Sequence, residues 1–227
     1  MAENQDFVSL AALAEPIRRR LYDHVVSRRA AVSKDDAARA IGIGRTLAAY
    51  HLDRLIDAGL LVGSYARVTG RTGPGAGRTA KLYEPSGREF EANAPQRDYR
   101  HAAEMLATAI ERDGSGTALS AAREAAYDAG VSDGRAASNT KSLEAILGER
   151  GYQPFTDDQG TIRLANCPFR RLAEAHRDLV CGMNLAWVRG VLDATTRGHL
   201  HAALDPRQGC CCVAVSTSVT PGTAQGA

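Results

Sequence analysis

Apolar residues near the start of the chain repeat at the spacing of a helix, and one proline interrupts them. Between residues 10 and 26 the apolar positions fall on one stripe, which comprises Leu10, Leu13, Ile17, Leu21 and Val25. Proline lacks the backbone N–H that a helix interior needs, although the first turn of a helix tolerates it. The pattern therefore predicts a short turn up to Ala14, then a helix that begins at Glu15 and Pro16.

Residues 33–84 alternate between helical and strand patterns. Ser33 can cap a helix, with Asp36 three residues later in the manner of a capping box, and Gly42 can end it. The predicted elements are a helix over 33–41, a helix over 45–58, a strand over 60–68, a glycine-rich loop over 69–77 and a returning strand over 78–84. Two helices joined by a tight turn and followed by a hairpin are the layout of a winged helix-turn-helix.

The remainder of the chain is predicted to contain helices and a few strands. The helices cover 99–112, 117–129, 142–150 and 172–192, and the strands cover 152–155, 161–164 and 211–215. We expect an α+β protein with an N-terminal winged helix-turn-helix domain and a mixed α/β C-terminal sensor domain. The expected division is a winged helix over 1–87, a linker and dimerisation helices over 88–130, the sensor domain over 131–215 and a disordered tail over 216–227.

Charge is divided unevenly along the chain. Residues 1–83 hold 13 Lys and Arg against 8 Asp and Glu, whereas the remaining residues hold 15 against 18. A basic front half indicates a polyanionic partner. The sequence has no apolar run of about 18 residues and no secretory signal at its start, so we expect no membrane association and a cytoplasmic location. In that compartment the five cysteines are expected to be reduced.

The helix over 45–58 is the candidate for DNA recognition, because its apolar stripe leaves the opposite side free. The residues expected to reach bases or phosphates from it are Arg45, Thr46, Ala49, Tyr50 and Arg54. The residues expected to bind neighbouring phosphates from the hairpin are Arg67, Arg71, Arg78 and Lys81. His51 is interpreted as a packed, hydrogen-bonded residue in preference to a base reader. Helical periodicity is also compatible with a winged helix that binds only protein.

These segments resemble the winged-helix regulators of the arsenic-repressor (ArsR-like) type. The resemblance lies in residues 15–21, 45–55, 58–61 and 77–83, about a third of the chain. In that type a serine usually stands where this chain has Ala49. The resemblance implies a transcriptional regulator that binds a double-stranded DNA operator. We expect a homodimer, because two copies can occupy two half-sites. The helices over 99–112 and 117–129 could form its interface or pack within one chain.

All cysteines lie in the last third of the chain, and they are Cys167, Cys181, Cys210, Cys211 and Cys212. Thiolates from separate segments could hold a metal ion or an iron–sulfur cluster. Their spacing differs from the short Cys-x-x-Cys pairs of zinc ribbons. Zinc, thiol oxidation without metal and simple burial as small apolar residues remain alternatives. His176 could add a ligand or lie at the surface.

The cysteine segments look like the C-terminal domain of SufR-type iron–sulfur regulators. The similarity lies in residues 166–169, His176, residues 179–184 and residues 209–213. It implies a [4Fe–4S] cluster that controls repression. In a strand, Cys211 would share one face with Val213, and Cys210 would share the other with Cys212, so the ligand within the triplet stays open.

Two alternatives to cluster control remain at this level. The C-terminal domain could bind a small organic effector, or it could respond to thiol oxidation. An enzyme is not expected, because the sequence has no glycine-rich phosphate loop, paired catalytic carboxylates or nucleophile motif.

Overall fold

The computed structural model describes residues 2–28, 30–66, 79–92, 98–137, 141–195, 197 and 199–217. The protein is of mixed α and β type, with two small antiparallel sheets. The chain forms two compact units, Met1–Arg97 and Asp98–Ala227. The predicted disordered tail lies, apart from residues 216 and 217, outside the described residues.

The first unit contains helices and one three-stranded sheet. Its elements are α1 (Ala2–Ala12), α2 (Pro16–Ser27), β1 (Val32–Ser33), α3 (Lys34–Ile41), α4 (Arg45–Asp57), β2 (Leu61–Ala66) and β3 (Ala80–Pro85). The sheet has the order β1-β3-β2, and both pairings are antiparallel. The helices after the first, and the hairpin strands, agree with the sequence prediction to within a few residues.

Local capping explains where the helices of the first unit begin. The Glu15 carboxylate accepts hydrogen bonds from the backbone N–H groups of Ile17 and Arg18, and Pro16 occupies the first turn of α2. Ser33 accepts from the N–H of Asp36 at the start of α3. Gly42 ends α3 with a φ of 74°, a left-handed conformation that favours glycine.

The segment before Pro16 differs from the prediction. A short turn was expected, whereas α1 is an 11-residue helix. The buried residue on its inner side is Ser9, whose hydroxyl donates to the Ala58 carbonyl oxygen at 2.6 Å. Because a buried serine interrupts the apolar period, the pattern of this helix is not visible in the sequence.

The core of the first unit joins the helices to the sheet. Its fully buried side chains come from α2, α4 and the hairpin, and they include Leu21, Val25, Leu52, Leu55 and Tyr83. The stripe of α4 that was expected to face inward is therefore buried. Burying a leucine of this kind contributes roughly 1.5–3 kcal/mol, so this contact fixes which side of α4 remains exposed.

The second unit combines helices with a four-stranded sheet. Its elements are α5 (Tyr99–Arg112), α6 (Thr117–Ala137), α7 (Leu143–Glu149), β4 (Pro154–Thr156), β5 (Ile162–Leu164), α8 (Arg170–Ala175), α9 (Arg177–Ala194), β6 (Leu200–Leu204) and β7 (Val213–Thr217). The strand order is β4-β5-β7-β6, with antiparallel pairings throughout. Within the described part of the chain, no helix is long and apolar enough to cross a membrane.

Helix α6 packs directly against α9 through glycines. A Cβ atom on Gly130 would lie 2.1 Å from the Trp187 carbonyl oxygen, and one on Gly190 would lie 2.2 Å from the Tyr127 carbonyl oxygen. The backbones therefore approach more closely than any other residue would allow. Helix α6 was expected to end at residue 129, but it continues to Ala137 because its glycines serve this packing. For α6, packing within one chain is thus observed.

Three other elements of the second unit depart from the prediction. The helix expected over 172–192 is broken at His176, whose backbone has φ −129° and ψ 54°. Strand β6 was not predicted. Strand β7 begins at Val213, so the cysteine triplet precedes it, and the expected alternation of faces does not apply to residues 210–212.

Candidate functional site

One side of α4 exposes polar and cationic side chains. Arg45 is 77% exposed and Arg54 is 54% exposed, while Tyr50 is 53% exposed. Thr46 is exposed and Ala49 is half-buried on the same helix. The residues that the sequence selected on this helix therefore occur together on or beside its free side. Arg45 is the first residue of α4, where backbone N–H groups have no partner within the helix.

Both arginines of α4 form exposed ion pairs. The Nε atom of Arg45 lies 3.5 Å from the Asp35 carboxylate. Arg54 lies 3.4 Å from Asp57 and also sits over the Tyr50 ring, 5.6 Å from its centroid. Exposed ion pairs contribute at most about 1 kcal/mol, so both guanidinium groups can exchange these partners for a phosphate or a base.

Lys81 has a different environment from the arginines of α4. Its Nζ atom donates to Asp53 Oδ1 at 2.8 Å, and the Tyr83 hydroxyl donates to the same oxygen at 3.1 Å. The hydrogen bond to Asp53 raises the pKa of Lys81. Burial, reinforced by Asp53, raises the pKa of Tyr83. This group fastens β3 to α4 and neutralises one cation of the hairpin.

The other hairpin cations named in the sequence analysis are Arg67, Arg71 and Arg78. They lie outside the described residues.

His51 faces the core of the first unit. It is 7% exposed, and its Nδ1 atom lies 3.5 Å from Glu15 Oε2. The contact is close enough for an ion pair but lacks hydrogen-bond geometry, so Nδ1 has no hydrogen-bond partner in the described structure. His51 is therefore packed as expected, although it is not hydrogen-bonded through Nδ1, and it connects α4 to the carboxylate that caps α2.

Four cysteine sulfurs form two pairs at one end of the second sheet. The Cys181 thiol donates to the Cys212 sulfur at a distance of 2.7 Å. The Cys211 thiol donates to the Cys167 sulfur. Cys167 follows β5, the triplet precedes β7, and Cys181 lies in the first turns of α9. Because β5 and β7 are antiparallel neighbours, these chain segments emerge at the same end of the sheet.

Backbone hydrogen bonds fix the triplet beside the sheet. The N–H of Cys211 donates to the Leu164 carbonyl oxygen at 2.7 Å, and the N–H of Asp205 donates to the Cys212 carbonyl oxygen at 2.7 Å. Both Cys211 and Cys212 therefore join the sulfur group, which alternation in a strand would have forbidden. Cys210 is half-buried, and its N–H donates to the Arg207 carbonyl oxygen.

The sulfurs have unequal proton affinities. The Cys211 thiol, aided by the Phe169 N–H, lowers the pKa of Cys167 to about 6. Burial and the hydrogen bond to Cys212 raise the pKa of Cys181 to about 12. The hydrogen bond to Cys167 raises the pKa of Cys211. The lowered pKa favours the thiolate form at Cys167, whereas the raised pKa values of Cys181 and Cys211 favour the thiol. The thiolate is the form that binds metals and attacks electrophiles.

A buried polar chain leads to Cys167, and the sequence analysis did not identify it. The Tyr152 hydroxyl donates to Asn184 Oδ1 at 2.8 Å, and Asn184 Nδ2 lies 3.5 Å from the Cys167 sulfur as its donor. The Tyr152 ring stacks on Trp187, with centroids 5.6 Å apart. Asn184 follows Cys181 by three residues on α9, so its position on the cysteine side of the helix was the available signal.

The paired cysteines form an all-sulfur donor set. All four side chains supply sulfur, and Arg170 and Arg177 place positive charge beside Cys167 and Cys181. Cationic and hydrogen-bonding groups favour an anionic thiolate cluster. Among the described residues, however, no group of three or more His, Cys, Asp or Glu side chains is arranged to hold a metal ion. Two sulfurs on one tetrahedral zinc lie about 3.8 Å apart, farther than the Cys181–Cys212 pair.

Within the described structure, His176 makes no hydrogen bond to a cysteine sulfur. Its Nδ1 atom lies 2.8 Å from Glu111 Oε2, so it joins the α8–α9 junction to α5. The expected surface position is also not found, since its side chain is 11% exposed.

The chain matches no known protein family, no curated protein and no solved structure.

Proposed function

We propose that this chain is a DNA-binding transcriptional regulator, most simply a repressor, whose operator binding is controlled by an iron–sulfur cluster. In this proposal the first unit is a winged helix-turn-helix, with α4 as the recognition helix and β2 and β3 as the base of the wing. The observation that carries the DNA-binding half is the exposed cationic side of α4. The observation that carries the sensing half is the pairing of four cysteine sulfurs from three chain segments at one end of the sheet.

The chemistry of α4 supports duplex DNA as the partner. A helix fits the major groove, where base edges present distinguishable patterns of donors and acceptors. Arg45 can donate two hydrogen bonds to guanine, and the free N–H groups at its end of α4 suit a phosphate. Tyr50 and Arg54 can bind the flanking strand. The Lys81–Asp53 pair would hold the wing against α4, so that both reach the duplex together.

A homodimer on a two-fold operator is part of the proposal. One winged helix reads only a few base pairs, whereas two copies double the contact and match operator symmetry.

The residues proposed to hold the cluster are Cys167, Cys181 and one or both of Cys211 and Cys212. A bound [4Fe–4S] cluster supplies a one-electron redox centre that also ties its ligand segments together. Asn184 orients the Cys167 sulfur, and Arg170 and Arg177 offset negative charge. Cys167 follows β5, Cys181 lies on α9, and Cys211 and Cys212 precede β7, so a cluster held by them would join these three segments of the second unit. Useful control requires about a 10–100-fold change in DNA affinity, or about 1–3 kcal/mol of coupling.

The DNA-binding half is tested with a selected operator. Genomic fragments retained by the full chain are identified, and affinity for a labelled fragment is then measured by fluorescence anisotropy at fixed salt. Arg45→Ala is expected to weaken binding by roughly 10–100-fold, because about 1–3 kcal/mol of base discrimination is lost. Arg19→Ala, at a 63% exposed arginine of α2, is the matched control. Equal affinities for the Arg45 variant and the parent chain would contradict the proposal.

The sensing half is tested by metal analysis. Protein purified without oxygen is assayed for iron and acid-labile sulfide, and visible absorbance is recorded. Cys167→Ser and Cys181→Ser are each expected to lose iron and sulfide together. Single serine variants of Cys210, Cys211 and Cys212 then identify the remaining ligands. Stoichiometric zinc, or a parent chain with neither iron nor sulfide, would reject the cluster.

Thiol oxidation is the second candidate for control, and the 2.7 Å contact between the sulfurs of Cys181 and Cys212 favours it. A peroxide would oxidise one thiol to a sulfenic acid with release of an alcohol or water. Attack by the second sulfur would then form the disulfide and release water. Mass spectrometry of peroxide-treated, iron-free protein distinguishes the candidates: a Cys181–Cys212 disulfide that changes DNA affinity supports oxidation, whereas an unchanged affinity rejects it.

A further inference from the structure

Helix α5 carries apolar side chains on the side that does not pack against its own unit. Ala107 is buried and Ala103 and Ile110 are half-buried, so these residues form the inner side. An adjacent set is exposed, with Tyr99 at 69%, Leu106 at 66% and Met105 at 56%. Together with the exposed Ala102 and Ala109 they make one continuous strip, which we call the outer face of α5: Tyr99, Ala102, Met105, Leu106 and Ala109.

The outer face of α5 is self-complementary when two copies run in opposite directions. With the two-fold axis between Met105 and Leu106, Met105 of one copy lies beside Met105 of the other, and the two Leu106 side chains meet in the same way. The same axis places Ala102 opposite Ala109, where small side chains allow close approach. An interface of this kind, in which one patch meets itself, is what a two-fold dimer requires.

Charge at the two ends selects the antiparallel arrangement. Asp98 caps α5 by accepting from the His101 N–H, and Arg112 lies in the last turn. At 100° per residue, both lie on the same edge of the outer face. Antiparallel pairing brings Arg112 beside Asp98 of the second copy, where an ion pair can form. Parallel pairing would instead place Arg112 against Arg112 and Asp98 against Asp98.

We propose that the outer face of α5 binds the same face of a second copy, antiparallel, and so forms the two-fold interface of the homodimer. The inference rests on the proposed function, which calls for a homodimer but does not say which surface forms it. The occupant is a second copy because the apolar centre and the charged ends of the same helix complement each other under one axis.

The oligomeric state of the full chain, measured without DNA by sedimentation equilibrium, tests this interface. The parent chain is expected to dimerise, and Leu106→Glu is expected to raise the dimer dissociation constant at least about 100-fold, because a carboxylate enters the apolar centre twice. Leu204→Glu is the matched control, since Leu204 is a 50% exposed leucine on β6. It should leave the dimer unchanged.

A second variant guards against misfolding of the first. Arg112→Asp changes an exposed residue and places like charges at both ends of the interface, so it should weaken the dimer about tenfold, while Arg112→Lys should retain it. A monomeric parent chain overturns the inference. Equal dimer dissociation constants for Leu106→Glu and Leu204→Glu also overturn it. That result would mean that another surface pairs the copies or that this face binds a different partner. Because no DNA is present, failure of the DNA-binding proposal leaves these results intact.

Discussion

The contact between α6 and α9 predicts that adding one methyl group at Gly190 will destabilise the second unit. A Cβ atom there would lie 2.2 Å from the Tyr127 carbonyl oxygen and 2.9 Å from the Val131 nitrogen. Both atoms belong to backbone, so no side chain can rotate away. An ordinary contact needs about 3.4 Å, and the helices would have to separate by about 1.2 Å.

The magnitude follows from two opposed effects. Overpacking of this kind costs about 1–3 kcal/mol, and a backbone clash belongs at the upper end of that range. Alanine in a helix interior recovers about 1 kcal/mol relative to glycine. Gly190→Ala is therefore expected to lower the free energy of unfolding by about 2 kcal/mol. Gly148→Ala in α7 is the control, because its Cβ would meet nothing within 4 Å. It should stabilise by about 0.5 kcal/mol.

Urea unfolding followed by tryptophan fluorescence measures both variants. Trp187 is the single tryptophan of the chain and lies in α9, stacked on Tyr152, so its signal reports on this unit. With a slope of about 2 kcal/mol per molar urea, the midpoint of Gly190→Ala should fall by about 1 M. If Gly190→Ala were as stable as Gly148→Ala, the close crossing of α6 and α9 would be refuted.

Three further outcomes can be measured. Arg163 lowers the pKa of Asp157. The pair therefore stabilises the fold at pH values above the ordinary carboxyl pKa, and it loses this effect as the pH falls through the lowered pKa. Circular dichroism of Asp157→Asn should show a shallower acid transition than the parent. Asn184→Leu removes a donor to Cys167, so the pH profile of iodoacetamide labelling at Cys167 should move upward, and an unmoved profile would contradict the bond. Ser33→Ala should destabilise the first unit by about 1 kcal/mol in thermal unfolding.

Much of the secondary structure could be predicted because local rules determine it. The cap at Ser33, the left-handed Gly42 and the apolar stripe of α4 each act within a few residues, so the sequence identifies them directly. Helix α1 was not predicted because its buried residue is Ser9, whose hydroxyl donates a hydrogen bond to a carbonyl oxygen 49 residues away. The end of α6 was predicted too early because glycine often ends a helix. The contact between Gly130 and α9, which explains this glycine, is not visible in the sequence.

In the candidate sites, too, the sequence predicts the features set by local rules and misses those set by long-range contacts. The exposed side of α4 follows from helical period alone, and its arginines were identified with it. The partner of Lys81 could not be predicted, because Asp53 lies 28 residues away on another element. The sequence supplied the cysteines but not their pairing. It also left out Asn184, whose contact with Cys167 depends on how α9 packs beside the loop after β5.

The order in which the cysteine pairs assemble follows from their place in the topology. The ribosome synthesises Cys167 and Cys181 before the triplet of residues 210–212. The triplet reaches them only once β7 has paired with β5. A nascent chain arrested before residue 210 would therefore carry Cys167 and Cys181 without the triplet. Any ligand that needs the complete set would bind only after translation of this strand, so its capture would mark the completion of the domain's synthesis.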